Sequence, residues 1–247
     1  MERYDFTTQR LLVDNSLRDG SRVELDRTQS NYLLNVLRLK DGARVLAFNG
    51  KDGEWLCRLE VSGKKTASLI ATERTRAQYP AGTLHYLFAP LKHARQDYMV
   101  QKAVEMGASR LQPVFTQHTQ VNRVNVERMA ANAREAAEQC GILNLPEIGE
   151  PQRLEKILRD WESGRHLIYC DEAAKDANAI EILKPLEGQP VSVLIGPEGG
   201  FSIQERELLR SLDFVTVIPL GPRILRADTA AVAALALVQA IVGDWPR

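Results

Sequence analysis

The chain has 247 residues, and its 32 Lys and Arg balance 32 Asp and Glu, so no global field steers it toward an acidic polymer. Apolar residues make up 44% of it, which excludes a disordered chain and allows one large domain or a medium and a small one. Any nucleic-acid partner must therefore meet local patches, such as residues 91–134, where seven basic side chains face three acidic ones.

The first 75 residues read as β-rich. Strands are predicted at Val23–Leu25, Arg44–Phe48, Glu54–Val61 and Thr66–Ile70, separated by Asp41-Gly42, Asn49-Gly50, Asp52-Gly53 and Ser62-Gly63. One short helix interrupts them, with Ser30 as its expected cap and Tyr32, Leu33, Val36 and Leu37 as its apolar face. Short strands at this spacing predict a small barrel, and 78–82 reads as a linker. Beyond it, apolar strands at 84–89, 111–115, 167–170, 191–195 and 214–219 alternate with helical patterns near 94–107, 126–140, 152–161, 176–184, 203–211 and 227–242. Alternation of this kind predicts an α/β domain with a mainly parallel sheet.

Cys57, Cys140 and Cys170 are widely spaced and odd in number, which argues against a disulfide framework or a zinc site, so thiols in a reducing cytoplasm are expected. The opening Met1-Glu2-Arg3-Tyr4-Asp5 is charged, and the most apolar stretch, 230–242, is too short to span a bilayer. No metal motif occurs.

Two Gly- and Pro-rich corners carry the chemistry. Leu194-Ile195-Gly196-Pro197-Glu198-Gly199-Gly200-Phe201-Ser202 and Leu220-Gly221-Pro222-Arg223-Ile224-Leu225-Arg226-Ala227-Asp228-Thr229-Ala230 each join an apolar strand to a helix. Such corners line a pocket at the carboxyl ends of a parallel sheet, where open α/β sheets bind ligands. Neither is a phosphate loop, so bare main-chain groups suit a neutral base edge better than a pyrophosphate. Ser202 with Glu205 reads as a capping box, and Glu198 sits in the bend. Arg223 and Arg226 stand at the entrance of a helix that is apolar nearly all round, where guanidiniums need an anionic partner; Arg226 is the candidate for chemistry. Asp228 and Thr229 fit helix capping as well as a catalytic role. Lys92, His93, Arg95, Lys102 and Glu105 read either as a solvated helix face or as a basic groove for RNA phosphates. Gln139 could read a base edge beside Glu135 and Glu138 on one helix face.

The two corners, in this order and spacing, resemble those of the 16S ribosomal RNA N3-uridine methyltransferase family of the SPOUT superfamily. Gln101-Lys102-Ala103-Val104-Glu105-Met106-Gly107, Glu135 to Cys140, and Tyr32 to Arg38 followed by Gly42 and Asn49-Gly50 resemble three further segments of that family. The chain departs from its pattern at Ile142, where the family often has Arg, and at Ala227-Asp228-Thr229, where Thr-Glu-Thr is common.

The resemblance implies a PUA-like RNA-binding barrel over 1–75 and a SPOUT methyltransferase domain with a C-terminal trefoil knot over 76–247. It implies an S-adenosyl-L-methionine-dependent homodimer that methylates N3 of uridine 1498 in 16S rRNA of the small ribosomal subunit. Cofactor contacts are then expected from Ile195, Gly196, Pro197, Gly199 and Gly200, and from Gly221, Ile224 and Thr229. Leu194, Ile218, Leu220, Leu225 and Glu172 would supply walls. Arg226 would stabilise the uridine anion, with Asp228, Glu198 or water accepting the proton. Arg3, Arg10, Arg22 and Arg38 of the barrel would hold RNA. Two rivals are a ribose 2′-O-methyltransferase of the same superfamily and a non-enzymatic ribosome-assembly factor.

Overall fold

The computed structural model describes residue 5, residues 7–174 and residues 178–245. It divides into two compact units, one running to Pro80 and including Ala137–Leu145, the other made of Ala81–Ala136 and Pro146–Arg247.

The first unit is a five-stranded sheet, in the order β1-β3-β4-β5-β2, formed by Arg10–Leu12 (β1), Arg22–Glu24 (β2), Arg44–Phe48 (β3), Glu54–Gly63 (β4) and Thr66–Arg76 (β5). Strand β1 has no counterpart in the sequence reading, because three residues are too few to show alternation. It pairs parallel to β3, whereas the remaining pairs are antiparallel. Leu11, Val23, Leu33, Val45, Leu59 and Leu69 form the core. Helix α1, Arg27–Asn31, is capped by Asp26 and not by Ser30: Asp26 and Gln29 form the capping box, while Ser30 is buried. The chain then widens into a π turn over Tyr32–Val36, and Val36 points away from the core at 61% exposure, contrary to the predicted apolar face.

Arg10 is placed inside this unit. Its Nε donates to Glu54 Oε2 at 2.9 Å and its Nη2 to the Asp5 carbonyl at 2.5 Å, and the Arg10 and Glu54 side chains are both almost fully buried. Burial works to raise the Glu54 carboxyl, but bonds from Arg76, Thr75 and Arg10 outweigh it and hold the group below its usual range.

In the second unit, His85–Phe88 (β6), Arg110–Phe115 (β7), Glu147–Ile148 (β8), His166–Cys170 (β10), Val191–Ile195 (β11) and Val215–Ile218 (β12) form a sheet in the order β12-β10-β11-β6-β7-β8. The short Gln152–Arg153 (β9) also pairs with β7, and every pair is parallel. The helices are His93–Glu105 (α2), Val126–Cys140 (α3, whose last four residues count with the first unit), Leu154–Arg159 (α4), Ala179–Leu183 (α5), Ile203–Arg210 (α6) and Ala227–Ile241 (α7). The helix predicted over 152–161 is shorter because β9 takes its first two residues, and residues 176–177 of the helix predicted over 176–184 lie outside the described residues. Leu87, Leu167, Tyr169 and Leu194 pack with Leu154, Leu158 and Leu209 of α4 and α6. Tyr86, Phe88, Ile168 and Val193 alternate with them and are also buried, so the central strands are covered on both faces and read as unbroken apolar runs.

After edge strand β12 the chain turns through 219–226 into α7, which packs on α2, α5 and β11. Ala231, Ala234, Leu235, Val238 and Gln239 face inward, and Gln239 Nε2 donates to the Met106 carbonyl at 2.7 Å. Ala233, Ala236, Leu237 and Ile241 remain half-buried.

Candidate active site

The carboxyl ends of β10, β11 and β12 open into a cavity of about 560 Å³, within the ~300–1,000 Å³ range usual for small-molecule sites. The first corner supplies Ile195–Phe201, the second Leu220–Ala227 and Ala230, the end of β10 Cys170–Glu172, and α2 Arg95.

The first corner is held from several sides. Ser202 caps α6, its Oγ accepting from Glu205 N at 3.2 Å, while Glu205 Oε2 accepts from Ser202 N at 2.8 Å, as the capping-box reading required. The other oxygen of Glu205 accepts from Gln117 N at 2.8 Å, and the Gly200 carbonyl accepts from His118 Nδ1 at 3.1 Å. Gly200 has φ +69, and a Cβ there would lie 3.0 Å from Glu172 Oε1, so this position admits only glycine without strain.

Arg206 ties the corner to the end of β10. Its Nε donates to the Phe201 carbonyl at 3.2 Å, its Nη1 to Asp171 Oδ1 at 3.0 Å, and its Nη2 to Glu172. Arg210 Nη2 donates to the other Asp171 oxygen at 2.6 Å, and the Asp171 side chain is fully buried. A buried carboxylate taking two guanidiniums at the floor of a pocket is a positioning device. Sequence reading missed it; the sign was the i,i+4 spacing of Arg206 and Arg210 on one face of α6.

The second corner is left open. The main chain of residues 220–225 makes no hydrogen bond within the described protein. Arg226 occupies the N-cap position of α7 without a side-chain cap, and Asp228 Oδ1 accepts from the first-turn Thr229 N at 3.0 Å, so Asp228 serves the helix start from inside the first turn while Thr229 contributes only its main chain. Asp228 lies in the first turn, and its carboxylate is 3.8 Å from Arg95 Nε. Arg95 Nη1 also donates to Glu198, so one guanidinium joins two of the acidic candidates.

Of the expected cofactor residues, Ile195, Gly196, Pro197, Gly199, Gly200, Leu220, Gly221, Ile224, Leu225 and Glu172 line the cavity, as do Glu198 and Arg226. Leu194 and Ile218 do not: both are fully buried in the sheet, one residue short of the strand end or at it. Thr229 is exposed outside the lining, and Asp228 is likewise not part of it, standing beside it through Arg95. Burial pushes the Cys170 thiol up to about 12.

Among the expected RNA residues, Arg3 lies outside the described residues. Arg10 is the buried ion-pair member described above and offers nothing to RNA. Arg22 is half-exposed and engaged by Glu24 and Glu60, each at 2.6 Å. Lys102 is bound by Glu105 at 2.7 Å and lies 5.5 Å from the Tyr98 ring centroid, with both charged side chains half-buried. Lys92, Arg38 and Gln139 are exposed or half-exposed, and Arg95 belongs to the cavity. Among the described residues no group of three or more His, Cys, Asp or Glu is placed to hold a metal ion, and no helix is long and apolar enough to cross a membrane.

A parallel sheet with a main-chain-lined cavity at its carboxyl ends, carried on the same chain as a small β unit, defines a two-unit α/β protein with a ligand site of the strand-end type. The chain belongs to the RNA methyltransferase family, whose domain matches residues 77–239; residues 25–71 match the RNA methyltransferase PUA domain. It is 33% identical over 234 residues to the ribosomal RNA small subunit methyltransferase E of Rickettsia conorii, covering 93% of this chain and 94% of that protein. The structure of the Neisseria gonorrhoeae ribosomal RNA small subunit methyltransferase E bound to S-adenosyl methionine superposes with a TM-score of 0.87 at 25% identity, over 96% of this chain and 99% of that one. A Legionella pneumophila protein solved in complex with the cofactor SAM superposes with a TM-score of 0.84 at 29% identity, over 96% and 99% of the two chains.

Proposed function

We propose that this protein is a cytoplasmic, homodimeric enzyme that uses S-adenosylmethionine to methylate N3 of uridine 1498 in 16S rRNA of the small ribosomal subunit. The observation that carries the reading is the strand-end cavity, with open main chain at 220–225, on a fold shared with two proteins solved with that cofactor.

The residues present fit such a group. Unpaired main-chain N–H and C=O groups at 220–225 suit an adenine edge, and the left-handed Gly221, with no atom within 4 Å of where a Cβ would stand, lets the ligand approach the backbone. Ile195, Leu220 and Leu225 supply apolar walls, and Glu172, fixed by Arg206, faces the cavity as an acceptor for hydroxyls. When bound, the cofactor supplies a methyl group already activated by its sulfonium. The chain's own task is then to orient the base and move one proton. Arg226 at the mouth stabilises negative charge on the uridine carbonyl oxygens as N3 loses its proton. Asp228 is assigned that proton: its ion-pair partner, Arg95 Nε, is 3.8 Å away, whereas Glu198 is engaged by the same guanidinium in a close hydrogen bond. Cys170, kept protonated, adds no competing thiolate beside an electrophilic methyl group.

The target base must leave its stack to reach this cavity. The outward stripe of α7, with Ala233, Ala236, Leu237 and Ile241, is the surface a second copy would cover. Calorimetric titration with S-adenosylmethionine, followed by methyl incorporation into small subunits lacking the modification, tests the reading. Saturable binding with incorporation is expected; RNA binding without cofactor binding would return the protein to the assembly-factor class.

A further inference from the structure

The π turn in the first unit carries an inference that rests on the RNA substrate proposed above. In α geometry Val36 would lie three and four residues beyond Leu33 and Tyr32, on the core face. The structure instead closes an i→i+5 bond, Leu37 N to the Tyr32 carbonyl at 2.9 Å, and the extra residue in the turn swings Val36 outward. Leu33, Tyr32, Leu34, Leu37 and Leu39 keep the core contacts. Two residues on, Arg38 adopts φ +56, the only non-glycine residue with positive φ among the described residues. Backbone departures such as the left-handed Arg38 cluster where a ligand is gripped.

The surroundings define the ligand. Arg27, Arg38, Lys40 and Arg44 are all exposed, and no ion pair among the described residues engages them. The acids next to them in sequence turn to the main chain, Asp26 Oδ1 accepting from Gln29 N at 2.7 Å and Asp41 Oδ1 from Val61 N at 2.8 Å, which leaves four cations against two acids. The segment therefore offers one apolar tip and a planar guanidinium within a cluster of net positive charge whose cations hold no ion pair among the described residues. That combination fits an unstacked RNA strand, whose phosphates meet the cations and whose base face meets Val36 and Arg38.

We infer that the π turn and the left-handed Arg38 present Val36 and the Arg38 guanidinium as an RNA-gripping tip, which contacts an unstacked nucleotide of the substrate and sets its position. Arg38→Gly makes an unusually clean test, because glycine accepts the positive φ while the guanidinium is lost. The full chain, Arg38→Gly and Val36→Ser are compared for binding to small ribosomal subunits by filter retention across a salt series, with S-adenosylhomocysteine present so that no methyl is transferred. Melting temperature, cofactor affinity and solution mass are measured in parallel.

Expected for Arg38→Gly is an unchanged or higher melting temperature, unchanged cofactor affinity, RNA affinity about tenfold weaker, and a salt slope about 0.7 shallower from one lost phosphate contact. Val36→Ser should weaken RNA binding about threefold or more with the salt slope unchanged, since no charge is removed. Wild-type RNA affinity in both variants would overturn the inference. So would a fall in melting temperature and cofactor affinity for Arg38→Gly, which would make the residue structural, or a change in solution mass alone, which would assign the tip to a second copy. If the wild-type chain binds subunits but transfers no methyl, the proposed function fails while the tip is still judged by the variants.

Discussion

The Arg95 guanidinium bonds to Glu198 across the mouth of the cavity, although the two residues come from α2 and from the corner after β11. It also lies 3.8 Å from Asp228, so the two carboxylates that could take the uridine proton share one cation unequally. On this geometry Asp228→Asn should lower kcat for methyl transfer by about a hundredfold, within the usual ~10²–10⁴ range for a lost acid–base group. Glu198→Gln should cost less than about tenfold and act through Arg95. Steady-state kinetics with both variants checks this, and a larger loss for Glu198→Gln would reverse the assignment.

Arg226 stands at the N-cap of α7 without a capping bond and lines the cavity. Arg226→Ala should leave S-adenosylmethionine affinity within about threefold and cut methyl transfer by ~10²–10³, the effect of removing one donor aimed at a developing oxyanion. Calorimetry beside single-turnover rates separates the two. Loss of cofactor affinity with an unchanged transfer rate would move Arg226 from the base to the cofactor.

Arg10 should matter to folding and not to RNA. Arg10→Met removes one partner of the almost fully buried Glu54, which Arg76 and Thr75 still engage, so the cost is about 1–3 kcal/mol and not that of an unpaired buried charge. Urea unfolding should show that loss, and the salt dependence of RNA binding in the folded population should match wild type. A shallower salt slope with intact stability would restore Arg10 as an RNA contact.

His85 opens β6, where burial first, then the positive charge of Arg165, pushes its pKa down to about 4. The unfolded chain, with its histidine near 6.5, takes up the proton more readily, so neutral His85 contributes fully above pH 6.5 and that contribution drains away as pH falls toward 4. The full shift would carry about 3 kcal/mol, and solvent screening of this partly exposed ring makes the actual drop smaller. Glu54, held below its ordinary value, adds a further loss as pH falls beneath the carboxylate range. Urea midpoints of wild type and His85→Gln between about pH 7 and 4.5 should diverge, the variant losing less; parallel curves would remove His85 from the pH dependence.

Much of this was legible in the chain. The alternation after residue 80 foretold a parallel sheet, because βα repeats with strands buried on both faces leave apolar runs that no surface strand would carry. Both corners were visible as Gly and Pro bends after such runs, and Ser202 with Glu205 located the start of α6. What stayed hidden depends on contacts distant in sequence. Asp171 is unremarkable until Arg206 and Arg210 fold over it, and Arg10 reads as a surface cation until Glu54, 44 residues on, closes around it. Val36 fits a helical face by spacing, and only the i→i+5 bond reverses it.

The most direct measurement is the identity of the methylated nucleoside. Small subunits from cells lacking the modification are incubated with the protein and labelled S-adenosylmethionine, digested, and analysed by mass spectrometry. The expected product is 3-methyluridine at a single site. A 2′-O-methylated nucleoside would contradict the proposed reaction, placing the methyl on a sugar hydroxyl that needs no uridine anion and leaving Arg226 without its assigned work.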